Sequence, residues 1–516
     1  MHHEPIHALS MLARTVATVT RQAVVDRNQL DQLLEPRDGV VLERRTGEGR
    51  YEAAEGPFLH YARTVEVTPV DERDEAFRVS QTVDFRLALT WFGWMFVPLV
   101  RGHLGAIRQG NRRPWWSPVD RLDPVAANTL GSVMAMSFVV SYAASLLSQS
   151  MTFVAEDFGV STTGQGIALA TVRIDGFVAL PLLALADRRG RRRMVMVTAV
   201  GTCVLSGLGA LAPSMPALVG TQVLARGFAT AASVTLLVAA LEEMPRNNRA
   251  FAISLETMAA ALGAGACIGL LFLADLFSWR LLYAVALLGL PLVRSIGRRF
   301  TETRRFQAPH VVASVAGHGR RLWLLGVAAV CLTVFSVPAS QFQNEFLRDE
   351  RGFSASRISL FIIATNVFGA IGIVVGGKLA DLRGRRVVAS TAVIGGVGGT
   401  VVMFLVAGWP MWAWSVIGAV VGAATVPSLG VYGPELFPTS LRGKANGVIT
   451  GVARVGSVVG LVATGILADR FDAIGPALAI LAIGPAIVAV LIFTAFPETA
   501  HQELEDLNPE DRPPPD

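Results

Sequence analysis

Leu241-Glu242-Glu243-Met244-Pro245-Arg246-Asn247-Asn248-Arg249 returns 193 positions later as Pro434-Glu435-Leu436-Phe437-Pro438-Thr439-Ser440-Leu441-Arg442, sharing Glu-x-x-Pro-x-x-x-Arg. A second string behaves the same way. Asp187-Arg188-Arg189-Gly190-Arg191-Arg192 recurs as Asp381-Leu382-Arg383-Gly384-Arg385-Arg386, offset by 194. Two unrelated strings with nearly one offset mean that the chain carries two copies of a long unit. Each string also closes a long apolar stretch, so both mark corresponding turns between membrane helices, as in transporters built from repeats.

Working outward, composition agrees. Only 16% of the 516 residues are charged and 52% are hydrophobic, against about 25% charged in soluble proteins. Between Val125 and Phe496 the sequence reads as twelve apolar stretches, most near the ~20 residues that cross a bilayer core. Lipid offers the backbone no hydrogen-bond partners, so such stretches must be helices. The net charge of +5 sits in turns rather than in a nucleic-acid patch. Arg188–Arg193, Arg246/Arg249, Arg294–Arg321, Arg383–Arg386 and Arg442/Lys444 follow alternate spans. The positive-inside rule makes these turns cytoplasmic, with both termini, in an inner or plasma membrane. Cys203, Cys267 and Cys331 fall inside spans and read as free packing residues. The first long apolar segment lies far from Met1, which speaks against a cleavable signal peptide. With no Gly-x-x-x-x-Gly-Lys-Ser/Thr and no His/Cys ligand cluster, no enzyme, cofactor or metal site is expected.

Residues 1–120 differ in kind and read as a small cytoplasmic α+β domain with its linker. Leu9–Leu34 has helical periodicity, whereas Tyr61–Val67 and Phe77–Phe85 alternate as half-buried strands do. Leu87–Val100 is too short for a span and reads as a buried or interfacial helix. Trp115 and Trp116 are expected at headgroup level. The remaining divisions are a six-helix bundle over 121–296, a central cytoplasmic loop over 297–321, a second bundle over 322–497 and a cytoplasmic tail over 498–516. The end of that tail, Pro-Pro-Pro-Asp516, is expected to be disordered.

These repeats, spans and Arg-rich turns resemble the major facilitator superfamily over about Asp123–Leu507. The signature loop of that family is Gly-x-x-x-Asp-Arg-x-Gly-Arg-Arg. Gly377-Lys-Leu-Ala-Asp381-Leu-Arg-Gly384-Arg385-Arg386 matches it except at Leu382, and the first copy has Leu183 in place of the opening Gly. Arg226-Gly227 resembles the signature of the fourth helix. Phe300–Phe306, Pro434–Arg442 and Pro497–Leu504 resemble edge motifs of the sugar-porter branch and its relatives. The resemblance implies an all-α fold of twelve helices in two six-helix repeats, and a secondary transporter working as a monomer.

Charges then sort into two groups. In the family, the loop Asp, the Arg after it and the Glu ending the fourth helix form a cytoplasmic gate. Carried over, that implies Asp187, Arg191 and Glu242 in one half and Asp381, Arg385 and Glu435 in the other. Arg192, Arg249, Arg386 and Arg442 belong to the same repeated turns, and Arg454 is expected to brace Asp187. The second group lies inside the spans, where charge is costly and marks function. Arg173 and Asp175 sit in the second stretch (Thr163–Ala186), Arg226 in the fourth (Ala217–Leu241) and Glu256 in the fifth (Phe251–Phe277). Arg454 lies in the eleventh (Ala445–Ala468). Their counterparts in the other repeat are Val367, Gly369, Ala419, Ile449 and Ala261, so none of these charges was copied with the scaffold. Tyr142, Gln149 and Gln341 are expected to line the pathway, with Ser141, Ser145, Gln343 and Asn344 beside them. The expected partners are a small solute, a proton and the bilayer. Asp175 and Glu256 are the candidates for the carboxylate that changes charge. Two other readings stay open: an efflux antiporter for drug-like compounds, and a transporter-like sensor signalling through residues 1–120.

Overall fold

The computed structural model describes residues 16–70, 76–107, 113–114, 116–160, 167–169, 171–300, 302, 315–343, 346–353 and 355–511. Within these, some helical side chains, that of Asp187 among them, lie outside the description. The chain folds as two compact units, Met1–Ala135 and Met136–Asp516.

The first unit is built on one antiparallel sheet. Its strands are β1 (Ala17–Asp26), β2 (Leu42–Gly47), β3 (Arg50–Glu55), β4 (Phe58–Pro69) and β5 (Ala76–Leu87), in the order β1-β5-β4-β3-β2. β4 and β5 contain the two alternating stretches expected to be strands. Leu9–Leu34 corrects the helical reading. Residues 17–26 pair with β5 from Ala17↔Phe85 to Asp26↔Ala76, and of the described part of that stretch only α1 (Arg27–Leu34) is helical; residues 9–15 lie outside the described residues. Thr18, Val19, Thr20, Val24 and Val25 supply β-branched side chains suited to a pleated surface. Asp26 then caps α1, accepting from the Gln29 amide at 2.8 Å. Of the expected helix Leu87–Val100, Leu87 ends β5 and the helix, α2 (Gly93–Leu104), begins six residues later; it packs Val100 and Leu104 with Val19, Tyr61, Val83 and Phe85. Trp116 is partly buried and packs against this cluster, with its ring 6.1 Å from that of His103. Trp115 lies outside the described residues.

Twelve helices among the described residues are long and apolar enough to cross a membrane. Spans 1 to 6 are Pro124–Met151, Ile167–Ala186, Arg191–Leu211, Met215–Glu243, Arg246–Gly269 and Trp279–Gly297. Spans 7 to 12 are Gly319–Gln341, Leu360–Arg383, Arg385–Leu405, Trp409–Glu435, Arg442–Ala468 and Ile474–Ala495. Repeat symmetry reaches the backbone. Gly190 between spans 2 and 3 has φ 97°, and Gly384 between spans 8 and 9 has φ 95°, a region where a Cβ is strained. Span 2 is not one helix. A 3-10 turn at Val172–Ile174 interrupts it, and the α-helix restarts at Asp175. Within the tail, Thr499, Leu504 and Asn508 are buried and a short helix covers Leu504–Leu507; the Pro-rich end expected to be disordered lies outside the described residues.

Candidate functional site

The basic turns place their charges at helix ends, where unpaired backbone groups wait for partners. Glu302 accepts from the Arg191 and Arg192 amides at 2.8 and 3.2 Å, and Glu498 does the same for Arg385 and Arg386 at 2.9 and 3.2 Å. Each glutamate thus caps the start of span 3 or span 9, where the helix dipole favours an anion. The repeated Phe300-x-Glu302-Thr303 and Phe496-x-Glu498-Thr499 announce this pair in the sequence, at an offset of 196.

With helix starts pinned, the guanidinium groups reach across the repeats. Glu242 ends span 4 and accepts from Arg191 of its own half at 3.4 Å and from Arg442 of the other half at 3.0 Å. Glu435 ends span 10 and mirrors it, paired with Arg385 of its own half and with Arg249 of the other at 3.3 Å. Asp381 lies 3.4 Å from Arg385 and also accepts from the Ala250 and Phe251 amides at 3.2 and 3.0 Å, at the N-terminus of the span 5 helix. Gly377 permits that approach, because a Cβ there would meet the Ala250 carbonyl oxygen at 2.7 Å. The paired side chains of Arg191, Glu242, Arg249, Asp381, Arg385, Glu435 and Arg442 are at most 1% exposed. Charges buried this deeply persist only in paired, hydrogen-bonded sets. Asp511 adds to the set, 2.8 Å from Arg442 and accepting from the Thr439 amide at 2.9 Å. Among the described residues, Arg192 and Arg386 bond the carbonyls of Gly297 and Phe493 in their own halves.

Deeper in the spans, the charges find partners the sequence did not disclose. Arg454 grips Asp175 with both ends of its guanidinium, Nη2 lying 2.8 Å from Oδ2, and Nη1 also donates to the Arg173 carbonyl at 3.0 Å. The expected brace from Arg454 to Asp187 falls on a side chain outside the described residues; what Arg454 holds here is the interruption in span 2, where Asp175 stands on a first helical turn. Thr230 of span 4 donates to Asp175 at 3.0 Å. Arg226 is half-buried and donates to the Ala144 carbonyl at 3.4 Å; the Arg173 side chain is exposed. Glu256 is 9% exposed, accepts from Ser137 of span 1 at 2.8 Å, and has no ion pair among the described residues.

Of the expected pathway residues, Tyr142 is buried and donates to the Leu282 carbonyl at 3.0 Å, tying span 1 to span 6. Gln149 is half-buried, and Gln341 is exposed at the end of span 7. Asn344 lies outside the described residues. Gln343 does line a crevice of about 430 Å³ within the second half, together with Ser336, Ser340, Thr365, Thr400 and Ser415. No charged residue lines it. Scattered serines and threonines carry no spacing signal, so this lining was not legible in the sequence.

The sequence profile of the Major Facilitator Superfamily matches residues 133–339 and 324–515. The glucose transporter GlcP of Staphylococcus epidermidis is 23% identical over 416 residues, covering 70% of this chain and 92% of that protein. Among solved structures, the proton:xylose symporter XylE bound to 6-bromo-6-deoxy-D-glucose superposes with a TM-score of 0.60 at 16% identity, covering 74% of this chain and 98% of its own. A human organic anion transporter superposes with a TM-score of 0.57 at 12% identity, covering 70% and 98%.

Proposed function

The chain belongs to the major facilitator superfamily of secondary transporters, and we propose that it moves a small polar organic solute by alternating access, coupled to protons. Its twelve helices make it a multi-pass membrane protein. The observation that carries the reading is the reciprocal pair of crossings, Arg442 to Glu242 and Arg249 to Glu435. These bonds join opposite repeats at the basic ends of the helices and are available only while those ends meet. Opening that side must break both, together with the seat of Asp381 on span 5. Such a set is the bistable element that a switching carrier needs. The positive-inside rule puts these ends, and with them both termini, in the cytoplasm of a plasma or inner membrane.

Coupling requires a carboxylate that changes charge within the cycle. Asp175 is held by Arg454 across the two halves, so protonating it costs an ion pair. Glu256 faces only the Ser137 hydroxyl among described hydrogen-bond partners, so its charge can change without breaking a salt bridge. That difference favours Glu256 as the proton-carrying group and leaves Asp175 a gating role. The test is uptake by proteoliposomes under an imposed pH gradient, with labelled glucose, xylose and glucuronate as probes. Accumulation that collapses with a protonophore supports the reading. Uptake indifferent to the gradient refutes coupling, and export driven by inward protons favours an antiporter instead.

A further inference from the structure

Three arginines share the middle of the helices with one committed carboxylate. Thr230, one helical turn from Arg226 on span 4, donates to Asp175 at 3.0 Å and accepts from Arg454 at 3.4 Å, which brings spans 2, 4 and 11 to one place, with Arg226 within electrostatic reach of Asp175, Arg454 and Arg173. Asp175 already gives both oxygens to Arg454. Arg226 and Arg173 make no ion pair among the described residues, so the cluster carries two positive charges more than negative ones. A guanidinium offers five N–H donors in a fixed fork, and the one described bond of Arg226 is a long contact to the Ala144 carbonyl. Charge of one sign left in such a place attracts its counterion. Because Arg454 comes from the second half and Arg226 from the first, the cluster sits where the two halves meet.

Beside it, span 1 offers hydrogen-bond acceptors. Ser141, Ser145 and Ser148 are half-buried or exposed along one stripe of span 1 beside Ala144, while Leu146 and Leu147 are buried. Ser145 and Ser148 donate to their own helix at 2.8 and 2.9 Å, which leaves their oxygens as acceptors. In the second half, Thr365 and Thr400 do the same at 2.9 and 2.8 Å and line the uncharged crevice. Acceptor oxygens suit a ligand with hydroxyl donors. The fork of Arg226 suits a planar carboxylate, which it engages bidentately.

We infer that the transported solute is a small hydroxylated carboxylate, its anionic group held by Arg226 with support from Arg173. This rests on the transporter reading above and names its substrate class. The test compares D-glucuronate with D-glucose, which share a ring and differ in the carboxylate, using full-length protein in proteoliposomes. Glucuronate uptake should saturate at a KM at least about tenfold below that for glucose. The variant R226Q should raise the glucuronate KM about 10- to 100-fold, the usual worth of a hydrogen bond to a charged group, and should erase most of the preference for glucuronate over glucose. R226K keeps the charge but not the fork and should fall between. R173Q, at an exposed side chain, should raise the glucuronate KM about two- to fivefold through charge alone, and it keeps the test decisive should R226Q fail to fold. Glucose preferred over glucuronate, with R226K and R173Q unchanged, overturns the inference and leaves the transporter reading standing. Uptake of neither compound also overturns it, and the transporter reading is then judged by the substrate-free accessibility assay described below.

Discussion

Neutralising Glu242 should open the basic side of the protein. In E242Q, the guanidinium groups of Arg191 and Arg442 lose the carboxylate they share across the repeats. Both arginine side chains are at most 1% exposed, so neither is rescued by solvent while that side stays shut. Removing a carboxylate from a buried charge cluster costs up to about 3–5 kcal/mol, and the lower end applies where another partner remains, as Asp511 does for Arg442. On opening, the arginines regain water and most of that penalty disappears, so the substitution destabilises the closed state selectively. Taking about 3 kcal/mol, with 1.4 kcal/mol per factor of ten, the open population should rise about 10²-fold. E435Q should match it by symmetry, since Glu435 binds Arg385 and Arg249 in the same way. Ser254 supplies the reporter. It is fully buried beside Gly377, where spans 5 and 8 meet. A single cysteine at 254, with Cys203, Cys267 and Cys331 replaced by alanine, should label slowly with a polar maleimide in the parent. Labelling should accelerate by about two orders of magnitude in E242Q and E435Q. Unfolding gives a different signature, a lower melting temperature. Labelling within twofold of the parent in both variants, at unchanged melting temperature, would refute the gate.

Further outcomes follow from the same contacts. D175N and R454Q should each impair transport, and the double variant should be less impaired than the sum of the two, since each single change strands a partner; strict additivity by uptake rate would dissolve the clasp. E256Q should abolish accumulation against a gradient yet spare solute exchange, and an E256Q protein that still concentrates solute rules this residue out. A cysteine at Glu48 should resist an impermeant thiol reagent in whole cells and react after lysis; labelling from outside would reverse the orientation. In the first unit, burial and the nearby Arg37 charge hold the His103 pKa below its usual 6.5. With a folded pKa below the unfolded one, the contribution of His103 to stability is present above pH 6.5 and is lost as the pH falls below that value. H103Q should flatten that slope in thermal melts, and an unchanged slope would remove His103 from the account.

Architecture was legible in the sequence because it rests on two signals that survive without coordinates. Apolar length forces helices in lipid, and repeated motifs such as Asp381-Leu-Arg-Gly384 report a duplicated unit whatever its packing. Short-range alternation likewise disclosed β4 and β5. It failed at residues 17–26, where a helical period over Leu9–Leu34 lost to ten residues of pairing with β5. Partner choice needed the tertiary structure. Glu242 stands 51 positions from Arg191 and 200 from Arg442, and both reach it because the halves cross at their basic ends. Arg454 holds Asp175, 279 positions away, and the Arg173 carbonyl, both at the interruption in span 2. The crevice hydroxyls of Ser336, Thr365 and Ser415 came together only through helix packing. A charge or a hydroxyl has no period of its own, and what it meets is decided by how distant helices cross.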